Sequence, residues 1–91
     1  MGNEVIKLTV EEVIILQNLD VAYKYIARDK DGDLFIYSEK PVRNEKDGIW
    51  NVGEKIHPKA ISNYSVYNHL FTDLKWENEP LRFRYKIMNI W

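Results

Sequence analysis

Two alternating, aromatic runs flank an aspartate-rich turn in "YKYIARDKDGDLFIYSEKP", which covers residues 23–41. Such runs are typical of β-strands, and aspartate with glycine is typical of the tight turn between two strands. The stretch therefore predicts a β-hairpin with strands over residues 23–28 and 34–40. Pro41 marks the end of the second strand, because it cannot donate a ladder hydrogen bond.

The aspartate turn allows two registers. A type I turn with Gly32 in the left-handed region forms a G1 bulge and pairs Arg28 with Leu34 and Tyr25 with Tyr37. One face of the hairpin then carries Tyr25, Ala27, Phe35 and Tyr37, and the other carries Ile26, Leu34 and Ile36. A two-residue turn at Asp31 and Gly32 shifts the pairing by one residue and sets Lys24 opposite Glu39. Both registers are open at this point, and the choice decides which aromatic rings meet the core.

The same aspartates do not match a calcium loop. An EF-hand loop needs glycine at its sixth position and a bidentate glutamate at its twelfth. Counted from Asp29, Gly32 is fourth and Lys40 is twelfth, and the flanks resemble strands rather than helices. We therefore expect a hairpin turn here and no metal site.

A helix is predicted from Val10 to about Leu19. Thr9 and Glu12 have the spacing of a capping box, and Leu8 and Val13 occupy the positions of a hydrophobic staple. Side chains at i, i+3, i+4 and i+7 form one face of this helix: Val10, Val13, Ile14 and Gln17. Leu16 and Ile15 widen the apolar arc at the edge of this face, so we expect the helix to be mostly covered.

The remaining segments predict a small sheet and a second helix. Residues 49–52 favour a short third strand returning on the second, and residues 53–60 favour a loop. Ser62 or Asn63 has the chemistry to cap a short helix through Phe71. The end, "LRFRYKIMNIW", alternates as a half-buried strand does. We predict an α+β fold in one domain, residues 1–91, with the N-terminal helix and a second short helix packed on an antiparallel sheet of about four strands.

Composition favours a cytoplasmic protein. The chain has 91 residues, no cysteine and a formal net charge of −1, so disulfides and thiolate metal sites are excluded and general binding of polyanions is disfavoured. The first residues lack the pattern of a secretory signal, and no apolar stretch approaches the roughly 20 residues needed to span a bilayer.

No catalytic arrangement stands out. His69 and Asp73 lie four apart, but a metal site needs further ligands. Glu77 and Glu79 are spaced as an acid–base pair, yet Trp76 and Pro80 around them favour a turn. We therefore expect a non-enzymatic protein without a cofactor.

Exposed tyrosine, tryptophan and arginine side chains are typical of interaction hot spots. The aromatic surplus and the basic residues of the last strand yield a candidate binding surface: Tyr25, Arg28, Tyr37, Trp76, Arg82, Arg84, Lys86 and Trp91. Charged strand faces are also common as plain solvated surfaces that discourage edge pairing. Trp91 either folds back on the core or meets another chain, and homo-oligomerisation remains an open alternative.

Three parts of the chain carry a resemblance: a leading helix that ends in "NLD", the "YKYIARDKDG" hairpin, and the closing "NHLFTDLKWENEP". Together with Trp50 they resemble a group of small uncharacterised proteins from phages and prophages of Gram-positive bacteria, over roughly residues 8–80. The resemblance implies a phage or prophage origin and no catalytic residues. A second likeness, in Ala27, Arg28, Gly32 and the Leu74–Lys75–Trp76 segment, is to phage nucleotide-sponge proteins that counter the Thoeris defence. The tryptophan which those proteins have after Ala-Arg is missing here.

These observations favour a phage or prophage accessory protein that binds a host bacterial protein and inhibits it or a defence system. Two alternatives use the same arginines and tyrosines. One is an oligomeric sponge that sequesters a signalling nucleotide, and the other is a binder of single-stranded nucleic acid. The near-neutral charge makes nucleic acid the least favoured partner.

Overall fold

The computed structural model describes residues 6–52 and 61–84. Within them lie one α-helix, six short strands and a 3-10 turn over Ser65–Tyr67. The helix and strands are α1 (Val10–Gln17), β1 (Tyr25–Arg28), β2 (Leu34–Tyr37), β3 (Val42–Asn44), β4 (Ile49–Asn51), β5 (Ile61–Asn63) and β6 (Leu81–Arg82). The predicted α+β class is confirmed.

The hairpin of β1 and β2 has the register of the G1 bulge. Arg28 pairs with Leu34 and Tyr25 with Tyr37. The N–H of Gly32 donates to the carbonyl of Asp29 at 2.9 Å, and Gly32 has a φ of 101°. A side chain rarely adopts that φ, so glycine allows the turn to close.

Four antiparallel strands form the main sheet in the order β5-β2-β1-β6. The first hairpin lies at its centre, with β5 on one side and β6 on the other. A separate two-stranded sheet joins β3 to β4. The prediction that residues 49–52 return on the second strand was wrong. The two predicted strands of the first hairpin are also shorter than expected: β1 begins at Tyr25, and β2 ends at Tyr37, before Pro41 is reached. Val42 begins a new strand that pairs with β4.

The predicted second helix is shorter than expected. Ile61, Ser62 and Asn63 pair with β2 as strand β5, and only Ser65–Tyr67 turn as a 3-10 helix. Asn63 still holds the start of that turn, because its side-chain oxygen accepts from the N–H of Ser65 at 2.8 Å. The hydrogen bonds that β2 gains at its outer edge explain why residues 61–63 extend rather than coil.

Helix α1 begins as predicted and buries a different face. Thr9 and Glu12 form the capping box, with hydrogen bonds of 3.1 Å and 3.0 Å between each side chain and the other's N–H. The helix ends at Gln17, two residues earlier than predicted, and Glu12 and Leu16 are its buried residues.

The expectation that Val10, Val13, Ile14 and Gln17 are covered was wrong, since all four are exposed. The carboxylate of Glu12 accepts hydrogen bonds inside the fold, from Thr9 and from Phe71. Because it does so, it turns the helix and places Leu16, four residues later, against the sheet.

Both faces of the main sheet are covered. On one face, Ile26, Leu34 and Ile36 pack with Leu16 of α1 and with Phe71 and Leu74. On the other face, Ala27 and Tyr37 pack with Trp50 of β4, and partly buried aromatic residues including Tyr25, Phe35 and Trp76 surround them. The sheet is therefore the middle layer between α1 and the β3–β4 hairpin.

Several predictions lie outside the described residues. They are the loop over residues 53–60 and the part of the last strand from residue 85 onward, which includes Lys86 and Trp91. In the described part of the chain, β6 is two residues long and pairs Leu81 with Ile26 and Arg82 with Tyr25. Over the same residues, no helix has the length and apolar character needed to cross a membrane.

Candidate functional site

The guanidinium of Arg28 lies among backbone carbonyls. It donates to five of them, at distances of 2.7 to 3.1 Å: those of Gly32, Asn68, Leu70, Phe71 and Leu74. Burial lowers the pKa of Arg28 below its ordinary value. An arginine whose donors are directed to this loop has few left for a phosphate, so Arg28 acts chiefly as a link between the hairpin and residues 68–74.

Arg84 also links segments that are far apart in the sequence through hydrogen bonds to backbone carbonyls. Its guanidinium donates to the carbonyl of Asp20 at 2.7 Å and to that of Tyr23 at 3.2 Å, and it approaches those of Leu16 and Leu19 at 3.3 Å. Helix α1 has no basic residue in its own last turn. Arg84 therefore supplies the cation that the helix C-terminus favours.

Tyr25 and Arg82 form a pair on the sheet. Their strands place them opposite each other, and the guanidinium carbon of Arg82 lies 5.6 Å from the centre of the Tyr25 ring. Both side chains are half-buried. Among the residues of the predicted binding surface, Tyr25 and Arg82 lie in contact with each other, whereas the guanidinium groups of Arg28 and Arg84 donate to backbone carbonyls.

Tyr37 lies inside the protein. It is 1% exposed, and burial raises the pKa of its phenol, with the charge of Asp29 adding to the rise. Its ring is therefore part of the core beneath the β3–β4 hairpin rather than of an accessible surface.

Trp76 takes part in an aromatic stack. Its ring lies 5.5 Å from that of Trp50 in an edge-to-face arrangement. The guanidinium carbon of Arg43 lies 4.6 Å from the centre of Trp50 and 5.2 Å from that of Trp76. Arg43 also donates to the carbonyls of Trp76 and Asn78 at 2.8 and 3.1 Å. These contacts hold the segment after residue 75 against the β3–β4 hairpin.

The three aspartates of the hairpin turn act as hydrogen-bond acceptors. Asp31 accepts from the N–H of Asp33, and Asp33 accepts from the side chain of Asn68. Asp29 accepts from the N–H of Trp50 at 3.2 Å and is buried. Each carboxylate thus stabilises the turn or ties it to a neighbouring segment.

Among the residues that the structure describes, the outer face of α1 groups three exposed apolar side chains together. Val10 is 77% exposed, Ile14 51% and Val13 38%. Beside it lies a groove of about 190 Å³ between the helix and β6, lined by Leu8, Val13, Leu16, Gln17, Leu81, Arg82 and Phe83. Apolar side chains that remain exposed next to a groove are typical of protein interaction sites.

Comparisons with protein-family models, curated proteins and solved structures find no match to this chain.

Sequence reasoning missed the face of α1 as a candidate surface. One feature of the sequence pointed to the correct face. The face that was predicted to be buried contains the polar Gln17, whereas Leu16 and Ile15, which pack inward in the structure, were placed only at the edge of that face. Nothing in the sequence indicated that Asp29 is buried, because its neighbours in the turn are charged residues, which are exposed or half-buried in the structure.

Proposed function

We propose that this chain is a non-enzymatic phage or prophage accessory protein that works by binding a bacterial protein, which it inhibits. The surface that supports this proposal best is the exposed face of α1, formed by Val10, Val13 and Ile14. The phage origin and the role against a host function or defence system rest on the resemblance described above.

The helix cannot bury this face by rolling. The carboxylate of Glu12 is anchored at both oxygens, to the N–H groups of Thr9 and Phe71, and Leu16 is 3% exposed in the core. A roll would break these contacts and leave a buried charge without partners, which costs several kcal/mol (about 3–5). The apolar face is therefore a fixed feature that a partner covers.

The surroundings of the face indicate the partner's chemistry. Glu11 and Asp20 are exposed on and just after α1, and the groove beside the helix is mostly apolar. We expect an amphipathic segment of the partner, with an apolar stripe for the helix and groove and basic residues at its rim.

The two alternatives depend on arginines that have other contacts. Arg28, Arg82 and Arg84 all donate to backbone carbonyls, so a nucleotide sponge or a single-strand binder would have to replace existing contacts of each described arginine of the predicted surface. We rank both below protein binding for this reason.

Affinity capture from a bacterial lysate, followed by binding assays with the purified partner, tests the proposal. We expect the wild type to retain a bacterial protein that the double variant Val10→Ser, Ile14→Ser fails to bind. A matched control, Val42→Ser with Val66→Ser, removes two equally exposed apolar side chains elsewhere, and should bind as the wild type does. Cross-links should join the partner's apolar, basic-rimmed segment to α1.

Three outcomes would overturn the proposal. The first is that no protein is retained above background and no defence system is affected. The second is that the helix variant binds as tightly as the control. The third is a thermal shift with a signalling nucleotide, which would favour the sponge, since a ligand at 100 times its Kd adds about 2.7 kcal/mol of stability.

A further inference from the structure

A second recess lies on the opposite face of the main sheet from α1. It has a volume of about 250 Å³ and is lined by Asp29, Phe35, Tyr37, Ile49, Trp50, Asn51 and Ile61. Ile49 and Asn51 are exposed, so the recess reaches the surface, whereas Tyr37 and Trp50 are buried in its inner part. It is distinct from the groove beside α1 and shares no residue with it.

Asp29 is the charged group of this recess. The residue is 7% exposed, and one carboxylate oxygen accepts from the N–H of Trp50 at 3.2 Å. Among residues 6–52 and 61–84, the second oxygen accepts no hydrogen bond and the carboxylate has no ion pair, and this oxygen retains access to solvent from the recess. A carboxylate that is mostly buried usually has a cation or several donors beside it, so a cation that enters the recess would gain a counter-ion.

The surroundings of Asp29 disfavour its charged form, and a cation beside it would favour that form. Burial raises the pKa of its carboxyl to about 6; the hydrogen bond from Trp50 opposes the rise, and the charges of Asp31 and Asp33 add to it. At neutral pH most molecules therefore carry an unpaired negative charge in the recess. Arg43, whose guanidinium lies over Trp50, donates from one terminal nitrogen to the carbonyls of Trp76 and Asn78 and makes no ion pair with Asp29, and its Nε has no partner within the part of the chain that the structure describes.

The other side chains that line the recess include types that bind organic cations in other proteins. Phe35, Tyr37 and Trp50 are aromatic, and aromatic faces attract ammonium groups, most strongly where water is excluded. The contact of Arg43 with Trp50 is an example of this attraction within the same cluster. A volume of about 250 Å³ lies below the range of about 300–1,000 Å³ typical of sites for drug-sized ligands, so the recess suits a small group.

We propose that this recess binds an alkylammonium group, with the carboxylate of Asp29 as its counter-ion and Phe35, Tyr37 and Trp50 as its aromatic walls. Two sources have this chemistry: a free amine and the end of a lysine side chain. This site is independent of the face of α1, so it stands or fails separately from the proposed function.

The test is a titration of the ¹⁵N-labelled protein followed by two-dimensional NMR. The ligands are n-butylammonium, a blocked Gly-Lys-Gly peptide and the neutral n-butanol. We expect saturable shifts of the Trp50 and Phe35 amides with the two cations, and at least about tenfold weaker binding of butanol. Tighter binding of butylammonium identifies a free amine as the source, and tighter binding of the peptide identifies a lysine side chain.

Two variants test separately the charge of Asp29 and the aromatic side chains that line the recess. Asp29→Asn keeps an acceptor for the N–H of Trp50 and removes the charge, so it should bind butylammonium at least about tenfold more weakly. Phe35→Leu should weaken binding of butylammonium about fivefold, because the recess loses one aromatic side chain. This variant tests the proposal if Asp29→Asn does not fold. Glu77→Gln, which removes an exposed carboxylate elsewhere, should bind as the wild type does.

The pH dependence gives a further check. Butylammonium should bind more weakly at a pH of about 5 than at about 8, because the carboxyl of Asp29 is protonated at the lower pH. The proposal is overturned by an absence of saturable shifts, by equal affinity for butanol and butylammonium, or by unchanged affinity in both Asp29→Asn and Phe35→Leu.

Discussion

The carboxylate of Glu12 accepts a hydrogen bond from the N–H of Phe71 at 2.8 Å, although the two residues are 59 apart in the chain. Its other oxygen accepts from the N–H of Thr9 at 3.0 Å, and the side chain is 5% exposed. Among the described residues, Phe71 is the one non-glycine residue with a positive φ, 55°. A single carboxylate thus fastens the start of α1 to a strained loop, which persists because its surroundings hold it.

Replacing Glu12 should therefore cost far more than replacing its neighbour. We expect Glu12→Ala to lower the free energy of unfolding by about 2–3 kcal/mol, because two backbone N–H groups lose a charged acceptor inside the fold. Urea denaturation measures the loss. Glu11→Ala is the matched control: Glu11 is exposed in the same helical turn, and its loss should cost at most about 0.5–1 kcal/mol. Equal losses in the two variants would contradict the role assigned to Glu12.

Arg28→Lys tests the planar geometry of the arginine contacts. A lysine ammonium cannot reach the five carbonyls that surround the guanidinium, so we expect a loss of about 2–3 kcal/mol in the free energy of unfolding. Arg82→Lys, on the neighbouring strand, should cost less, about 1 kcal/mol, because the contacts described for Arg82 are with the carbonyl of Arg84 at 3.0 Å and with the ring of Tyr25 rather than with five carbonyls. A tolerated Arg28→Lys would mean that solvent replaces these hydrogen bonds without penalty.

The first hairpin was predictable because its turn chemistry is local. Gly32 and the aspartates indicate a turn between two strands. They left two registers open, and the structure has the register of the G1 bulge, which pairs Arg28 with Leu34. The strand β3 was not predictable in the same way. Val42, Arg43 and Asn44 include one β-branched residue, and their pairing depends on β4 and on contacts of Arg43 with Trp76, 33 residues later. Local propensity carries no information about such partners.

The candidate surface was harder to predict than the fold. Residue type marks Arg28 and Arg84 as available cations, but their acceptors are carbonyls 46 and 64 residues away, at Leu74 and Asp20. Apolar periodicity likewise misplaced the buried face of α1, since the residue that orients the helix is the charged Glu12. In both cases a hydrogen bond between residues far apart in the sequence determines which side chains are accessible.

The stability of the protein should depend on pH through Asp29. Burial raises the pKa of its carboxyl from 3.8 to about 6, so the unfolded chain ionises at lower pH than the folded one. The folded state therefore loses stability as the pH rises from about 4 to about 6, and the loss is complete above that window. Asparagine stays neutral, so Asp29→Asn should exceed the wild type by about 1–2 kcal/mol in the free energy of unfolding at neutral pH.

The comparison is a pair of urea denaturation series between about pH 4 and pH 8. The difference between Asp29→Asn and the wild type should close near pH 4, where both side chains are neutral. A difference that stays constant over this range, or that widens toward acid, would show that the carboxyl of Asp29 is not held above its ordinary pKa.

Arg84→Gln tests whether the far end of the described chain caps α1. The variant removes the cation beside the carbonyls of Leu19, Asp20 and Tyr23, so we expect a loss of about 1–2 kcal/mol in the free energy of unfolding. Amide hydrogen exchange should quicken first in the last turn of α1, because the C-terminal carbonyls lose their donor. Lys75→Gln removes an equal charge from an exposed position elsewhere and should leave that exchange unchanged. If the two variants behave alike, Arg84 belongs to a solvated strand face, and its guanidinium becomes available to a bound anion.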